Sequence, residues 1–283
     1  MRYRAAVVQT TTTPDPVASL EAAEIAVREA AESGARLVAL PEVVNFMGPE
    51  GEKAALAEPL DGPTFQRFAD LAEALDIHLL AGSLPERSPY PEAPYNTSVL
   101  YDPAGRSWVY RKIHLFDVDL RPQGPRFSES DRTTPGSELV VADTALGRIG
   151  LTICYDLRFP ELFLALADAG AEVILVPSAF TVPTGADHWE VLLRARAIET
   201  QSWVLAPAQF GRHHASRRSY GRSLIADPWG LVVAQCPDRP SIAYAEIDLE
   251  AVVDVRRRMP CRAHRERRSA PLRMGGAGAH RRG

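Results

Sequence analysis

Three residues stand where a reactive side chain would be usefully placed. Cys154 ends the apolar run Ile149-Gly150-Leu151-Thr152-Ile153, and a polar, turning stretch, Tyr155-Asp156-Leu157-Arg158-Phe159, leads from it to Pro160 at the start of a helix. A nucleophile on a strand-to-helix turn is presented at the sheet edge, with the following backbone N–H groups aimed at a developing oxyanion. Free cysteine is also among the most buried residue types, so position alone leaves a packing role open. Glu42 ends a second apolar segment, Leu37-Val38-Ala39-Leu40-Pro41. A carboxylate there is poorly solvated, which suits general acid/base work, although a surface turn or an ion pair would use the same residue. Lys112 stands out by rarity. Of 32 basic residues, 30 are Arg, and Lys53 and Lys112 are the two lysines. Lys is a compact charge with a tunable pKa, and beside a thiol it would favour the thiolate and offer a donor to an oxyanion. Lys53, in Glu50-Gly51-Glu52-Lys53, reads as part of a solvated loop.

The elements that must position these groups read as an α/β chain. Strands are expected at 5–9, 37–40, 78–82, 97–101 and 107–111, with helices over 16–33 and 64–75. Asp15 is a plausible N-cap, Pro16 suits the first helical position and Gly34 can close the helix. A long loop spans about 115–137. The second half repeats the logic: strands at 139–142, 149–154, 173–176, 203–206, 223–226, 231–234 and 242–246, and helices over 160–169, 188–199 and 249–257. Strands alternating with helices argue for mostly buried sheets, and the surplus of strands requires some antiparallel pairing.

Composition narrows the function classes. The 283 residues are 46% hydrophobic and 24% charged, an ordinary globular balance. No apolar run reaches the roughly 18 residues of a membrane span, and the N-terminus lacks a signal-like apolar region, so the expectation is a cytoplasmic protein without membrane partners. Residues 256–283 carry a net charge of +9 and the remainder −13. An acidic body with an Arg- and Gly-rich end, 269–283, reads as one domain (1–268) with a flexible tail rather than a nucleic-acid binder. Cys154, Cys236 and Cys261 show no metal-type spacing, and neighbouring His213 and His214 are poorly placed to share a metal. Phosphate-cradling and dinucleotide-binding glycine motifs are absent, as is Gly-x-Ser-x-Gly.

Together the segments Leu40-Pro41-Glu42, Tyr110-Arg111-Lys112-Ile113-His114-Leu115-Phe116 and Ile153-Cys154-Tyr155-Asp156-Leu157-Arg158-Phe159-Pro160-Glu161 resemble the Glu, Lys and Cys motifs of the nitrilase superfamily of carbon–nitrogen hydrolases. The family's second glutamate resembles Glu129, upstream of Pro135-Gly136. Residues 188–201, Gly211-Arg212-His213-His214, Ser219-Tyr220-Gly221 and Asp227-Pro228-Trp229-Gly230 resemble the Nit branch, amidases of deaminated glutathione, although Arg222 stands where a His is expected. The resemblance implies a four-layer αββα sandwich, a homodimer, no cofactor and no metal. It also implies a small-molecule amide substrate cleaved through a Cys154 thioester, with Glu42 as acid/base, Lys112 and the Tyr155 N–H on the oxyanion, and Glu129 assisting. A substrate with two carboxylates calls for cationic contacts; Arg158, Phe180 and His213 are the expected substrate-binding residues, while Arg194 and Arg196 read as structural, with Arg196 paired to Glu199. The alternatives are an ω-amidase acting on α-ketoglutaramate, an N-carbamoyl hydrolase, and an interaction protein with an inactive hydrolase fold.

Overall fold

The computed structural model describes residues 1–49, 51–122 and 125–266. The first half runs β1 (Arg2–Gln9), α1 (Pro16–Glu32), β2 (Leu37–Ala39), α2 (Pro63–Ala74), β3 (His78–Leu80), β4 (Leu84–Glu86), β5 (Tyr95–Tyr101) and β6 (Ser107–Arg111), followed by the hairpin β7 (Asp117–Asp119) and β8 (Arg126–Ser128). The second half runs β9 (Val141–Thr144), β10 (Gly147–Leu151), α3 (Pro160–Asp168), β11 (Val173–Leu175), α4 (Val182–Thr200) and β12 (Trp203–Ala206). The hairpin β13 (Phe210–His214) and β14 (Arg217–Tyr220), then β15 (Leu224–Ala226), β16 (Val232–Gln235), β17 (Ser241–Asp248), α5 (Leu249–Arg258) and α6 (Cys261–Glu266) complete the described chain.

Each half contributes one sheet around three parallel strands. One sheet has the order β17-β1-β2-β3-β5-β4 with β6 on β5; the other has β16-β15-β12-β11-β10-β9. Strand β17 returns from the second half to pair with all of β1, from Arg2↔Asp248 to Gln9↔Ser241. The alternation along β1 explains the layering, because successive side chains leave a strand on opposite faces. Ala5 and Val7 join Leu37, Leu151, Ile174 and Leu205 in a core between the sheets. Ala6 and Val8 instead pack with Leu20, Val27, Phe65 and Phe68 of α1 and α2. Leu162, Phe163, Trp189 and Leu193 of α3 and α4 belong to the first core. Both faces of each sheet are thus covered, which is why the strands read as continuous apolar runs, and the four-layer αββα sandwich follows.

Local signals set several boundaries as expected. Asp15 caps α1, its carboxylate accepting from the backbone N–H of Val17 and Ala18. Where the structure differs, the cause is local composition. Helix α4 starts at Val182, six residues before the expected 188, because Pro183 occupies a first-turn position that tolerates it. The expected loop at 115–137 contains the β7–β8 hairpin, and β4, β13 and β14 were hidden by Pro85 and by polar, Arg-rich sequence. The tail expected at 269–283 lies outside the described residues.

Candidate active site

Glu42, Lys112 and Cys154 each follow the C-terminal end of a strand, the end where open α/β sheets place their ligands. Two glycines seat the first two. A Cβ at Gly82 would stand 2.0 Å from the Pro41 carbonyl oxygen, and one at Gly136 would stand 2.2 Å from that of Arg111, so only glycine lets these loops close on residues 41 and 111. The Gly136 N–H donates to the Lys112 carbonyl (2.8 Å). Val43, directly after Glu42, has φ +50° and Cys154 has φ +49°. Such backbone is costly for a branched or bulky residue and is retained where the surroundings over-determine it. The Ser83 hydroxyl accepts from the Val43 N–H (2.9 Å), and the Pro177 carbonyl accepts from the Cys154 N–H (2.9 Å).

The side chains converge in near-complete burial: Glu42 is 5% exposed, Lys112 2% and Cys154 8%. Lys112 Nζ donates to Glu42 Oε1 (3.0 Å) and to both oxygens of Glu129 (3.1 and 2.8 Å). Asn96 Nδ2 donates to Glu42 Oε1 (3.0 Å), and the Phe116 N–H donates to Glu129 Oε2 (2.7 Å). The Cys154 thiol lies beside the Glu42 carboxylate, Lys112 and the Ala179 N–H, close enough for each to act on its charge.

These contacts decide the charge states. Burial pushes the Cys154 thiol well up and the negative charge of Glu42 adds to it, outweighing the opposing pull of Lys112 and the Ala179 N–H. Lys112 thus acts on the thiol in the expected direction, but burial and Glu42 outweigh it, so the resting site holds a thiol beside a carboxylate. Burial alone would lower Lys112, yet Glu129 and Glu42 more than offset it and hold the ammonium well above its ordinary pKa. Glu129 is held below the usual carboxylate range: burial opposes this, but Lys112 and then Lys53 prevail.

Asp156, fully buried two residues after Cys154, ties the Cys turn to the Lys strand. It accepts from Tyr110 Oη (2.6 Å), the His114 N–H (3.0 Å) and the Ile153 N–H (2.9 Å), and contacts His114 Nδ1 (2.7 Å). Tyr110 and His114 flank Lys112 at two residues on either side, so one carboxylate fixes the register of Lys112 against Cys154.

Above this cluster opens a cavity of ≈ 520 Å³, within the range of small-molecule sites. Phe46, Phe116, Phe127, Tyr155 and Phe180 form apolar walls, and Lys53, Arg126, Arg132 and Arg217 stand among the lining residues with Glu92.

The carbon–nitrogen hydrolase family model matches residues 4–257. The chain belongs to this family. It is 47% identical over 266 residues to the deaminated glutathione amidase of Homo sapiens, covering 92% of this chain and 81% of that one. The crystal structure of the Caenorhabditis elegans NitFhit protein superposes with a TM-score of 0.87 at 41% identity, over 93% of this chain and 65% of that one, so the chain spans just under two thirds of that protein. Saccharomyces cerevisiae Nit3, a member of branch 10 of the nitrilase superfamily, gives a TM-score of 0.83 at 32% identity over 92% and 95% of the two chains.

In this carbon–nitrogen hydrolase the expected site residues separate. Glu42, Lys112, Glu129 and Cys154 come together, and Tyr155 and Phe180 line the cavity. Arg158 does not. It lies over the rings of Tyr155 (5.8 Å) and Phe180 (5.5 Å) and meets His188 Nδ1 at 3.2 Å. The reason is the 3-10 turn Cys154–Arg158: at three residues per turn, four residues rotate Arg158 off the nucleophile's side. His213 is also absent from the lining. It is 5% exposed, with Nδ1 against the Thr12 carbonyl (2.8 Å) and Nε2 against Ser219 Oγ (2.9 Å). His214, its neighbour on β13, lines the cavity instead; the β13–β14 register shifts between Arg212 and His214, and such an irregularity re-aims side chains. Arg196 is structural as expected, held by Glu199 (2.8 Å) and the Leu157 carbonyl (3.0 Å). Lys53 is the largest omission: not a solvated loop residue, it lines the cavity, so both lysines of the chain serve this site. Its rarity was the signal that could have found it. Asn96 was also missed; a polar Asn in the strand Tyr95–Tyr101, 1% exposed, marks it. Among the described residues no group of three or more His, Cys, Asp or Glu is placed to hold a metal, and no helix is long and apolar enough to cross a membrane.

Proposed function

We propose that this hydrolase cleaves the amide of deaminated glutathione through a thioester on Cys154. The observation that carries the reading is the thiol–Glu42–Lys112 contact beneath a cavity rimmed by Lys53, Arg126, Arg132 and Arg217, in a chain 47% identical to an enzyme of that name. The substrate is a short keto acid joined by an amide to cysteinylglycine, with a carboxylate at each end, and such a rim answers both charges.

Glu42 takes the Cys154 proton as sulfur attacks the amide carbon, since the resting group is the thiol. The oxyanion forms near Lys112 Nζ and the N–H of Tyr155, whose place in the first turn of a helical segment leaves its amide without an intrahelical partner. Glu42 returns the proton to the amine of cysteinylglycine, which leaves. Water then attacks the thioester, Glu42 takes its proton, and the keto diacid departs as the thiol is restored. Glu129, on Lys112 through two hydrogen bonds, holds the ammonium in place and charged. Every proton in the cycle passes through groups of the chain or water. A homodimer in the cytoplasm completes the proposal, and sedimentation velocity checks the dimer.

The test is product release from deaminated glutathione and from α-ketoglutaramate, for wild type and Cys154→Ala. Equal amounts of cysteinylglycine and keto diacid, lost in Cys154→Ala, are expected from the first. Both substrates share one acyl half, so a preference for the second relocates specificity to the leaving side. Release from neither overturns the reading.

A further inference from the structure

Lys53 and Lys112 face one cavity in opposite circumstances. Lys112 makes three hydrogen bonds to carboxylates. Lys53, opening the short 3-10 turn Lys53–Leu56, is reached by no hydrogen bond or ion pair among the described residues. It is half-buried and close enough to sense Glu129, Glu42 and Lys112, and this partial burial is the main cause that lowers its ammonium's pKa. A partly desolvated ammonium that faces a cavity without a protein partner favours a ligand anion there. Arg132 stands at the same turn: its Nη1 lies 3.5 Å from where a Cβ on Gly51 would be, and its guanidinium likewise has no side-chain partner among the described residues.

We infer that Lys53, with Arg132 beside it, is a docking site for a carboxylate on the acyl half of the substrate, so that this enzyme selects short acyl chains that end in a carboxylate. The inference rests on the amidase reading and names which end of the substrate goes where. Lys53 senses the groups that surround the reacting carbonyl, so it suits the nearer carboxylate. In deaminated glutathione that is the one on the acyl side, separated from the reacting carbon by three carbons; the other lies beyond a further amide. The acyl half stays on Cys154 after the amine leaves, so Lys53 holds it through both thioester formation and hydrolysis. A compact ammonium serves here in a chain that otherwise uses Arg, because Arg would project a larger planar group into the space the acyl chain occupies.

The experiment compares glutaramate with pentanamide, in which a methyl replaces the carboxylate, for wild type and Lys53→Met. In parallel, glutarate is tested for protection of Cys154 against iodoacetamide, read by mass spectrometry of the Cys154 peptide to exclude Cys261. Wild type is expected to favour glutaramate. Lys53→Met is expected to lower kcat/KM on glutaramate about 10- to 100-fold more than on pentanamide, the loss of one charge-assisted hydrogen bond, and to weaken glutarate protection to a similar degree. Equal losses on both amides, or unchanged selectivity, overturn the inference. If wild type turns over no amide, the amidase reading fails while the alkylation arm still decides: protection that depends on Lys53 keeps the subsite, and protection that is absent or independent of Lys53 removes it. Arg132→Ala, at an exposed position, repeats both arms should Lys53→Met not fold, and is expected to weaken protection several-fold.

Discussion

At the floor of the cavity every charge is answered, while at its rim most are not. Lys112 is held by Glu42 and Glu129, Glu42 by Asn96 as well, and Glu129 by the Phe116 N–H. At the rim, Lys53, Arg126 and Arg132 meet no side-chain hydrogen bond or ion pair among the described residues, and Arg217 donates to a single backbone carbonyl. The floor is preorganised, so its dipoles and charges need not rearrange as the oxyanion forms. The rim carries cations whose partners are supplied by the substrate. An overall charge of −4 makes that local concentration of cations a property of the site rather than of the chain.

The largest effects should come from the floor. Cys154→Ala and Glu42→Gln are each expected to lower kcat by about 10⁴-fold or more, because nucleophile and base act as one unit and either loss removes covalent catalysis. The double variant should be scarcely worse than either single one, measured by single-turnover quench; additive losses would mean that the two act independently. Lys112→Met should be next and should also damage the fold. It leaves Glu42 and Glu129 facing each other in a buried space, and removing one partner of a buried charge group costs roughly 3–5 kcal/mol. Urea unfolding reads this cost, and stability within about 1 kcal/mol of wild type would show that the floor is less tightly answered than its geometry indicates.

The contrast also explains what the sequence made legible. Glu42 and Cys154 end apolar strands, a local pattern with a direct physical meaning, and Lys112 was conspicuous in an Arg-rich chain. Glu129 had no such signal, sitting in a polar stretch that reads as loop, and only resemblance to a family pointed to it. The rim was illegible because it is assembled from four separate segments, each ordinary alone: Lys53 among loop residues, Arg126 on a strand of three residues, Arg132 after a 3-10 turn, and Arg217 on the second hairpin. Arg158 and His213 failed for a related reason. Both lie near reactive or polar motifs in sequence, yet direction is set by the 3-10 turn in one case and by an irregular hairpin register in the other. The layered fold was readable because burial on both faces leaves continuous apolar runs, whereas the two small hairpins bury little and leave no such trace.

His213 allows stability to be varied without altering a charge on the floor or rim. Burial is the main cause that lowers its pKa from 6.5 to about 4, with Arg217 and His214 adding to the effect against the Thr12 carbonyl. The folded state therefore prefers neutral imidazole. The contribution is fully present above the unfolded value and is lost as pH falls from about 6.5 towards 4, because the unfolded chain takes up the proton more readily. Converted at 1.36 kcal/mol per pKa unit, the loss approaches roughly 3 kcal/mol near pH 4. Urea midpoints measured across this window should fall for wild type and fall less for His213→Gln. Parallel curves would assign the acid sensitivity to the carboxylates of the floor instead, Glu129 foremost.

The smallest effect tests whether floor and rim are independent. Arg217 lies over the Phe127 ring (5.0 Å) and its Nη2 donates to the Ala179 carbonyl (3.2 Å), while the N–H of the same Ala179 faces the Cys154 thiol. One residue thus touches both regions. If the rim only gathers substrate charge, Arg217→Ala should raise KM for deaminated glutathione about two- to five-fold, the size of a partly exposed charge contact, and leave kcat essentially unchanged. On pentanamide, which offers no charge to the rim, both constants should then stay near wild type. A fall in kcat on pentanamide would show instead that Arg217 steadies Ala179 beneath the thiol, so that the rim sets the geometry of the floor as well as the charge above it.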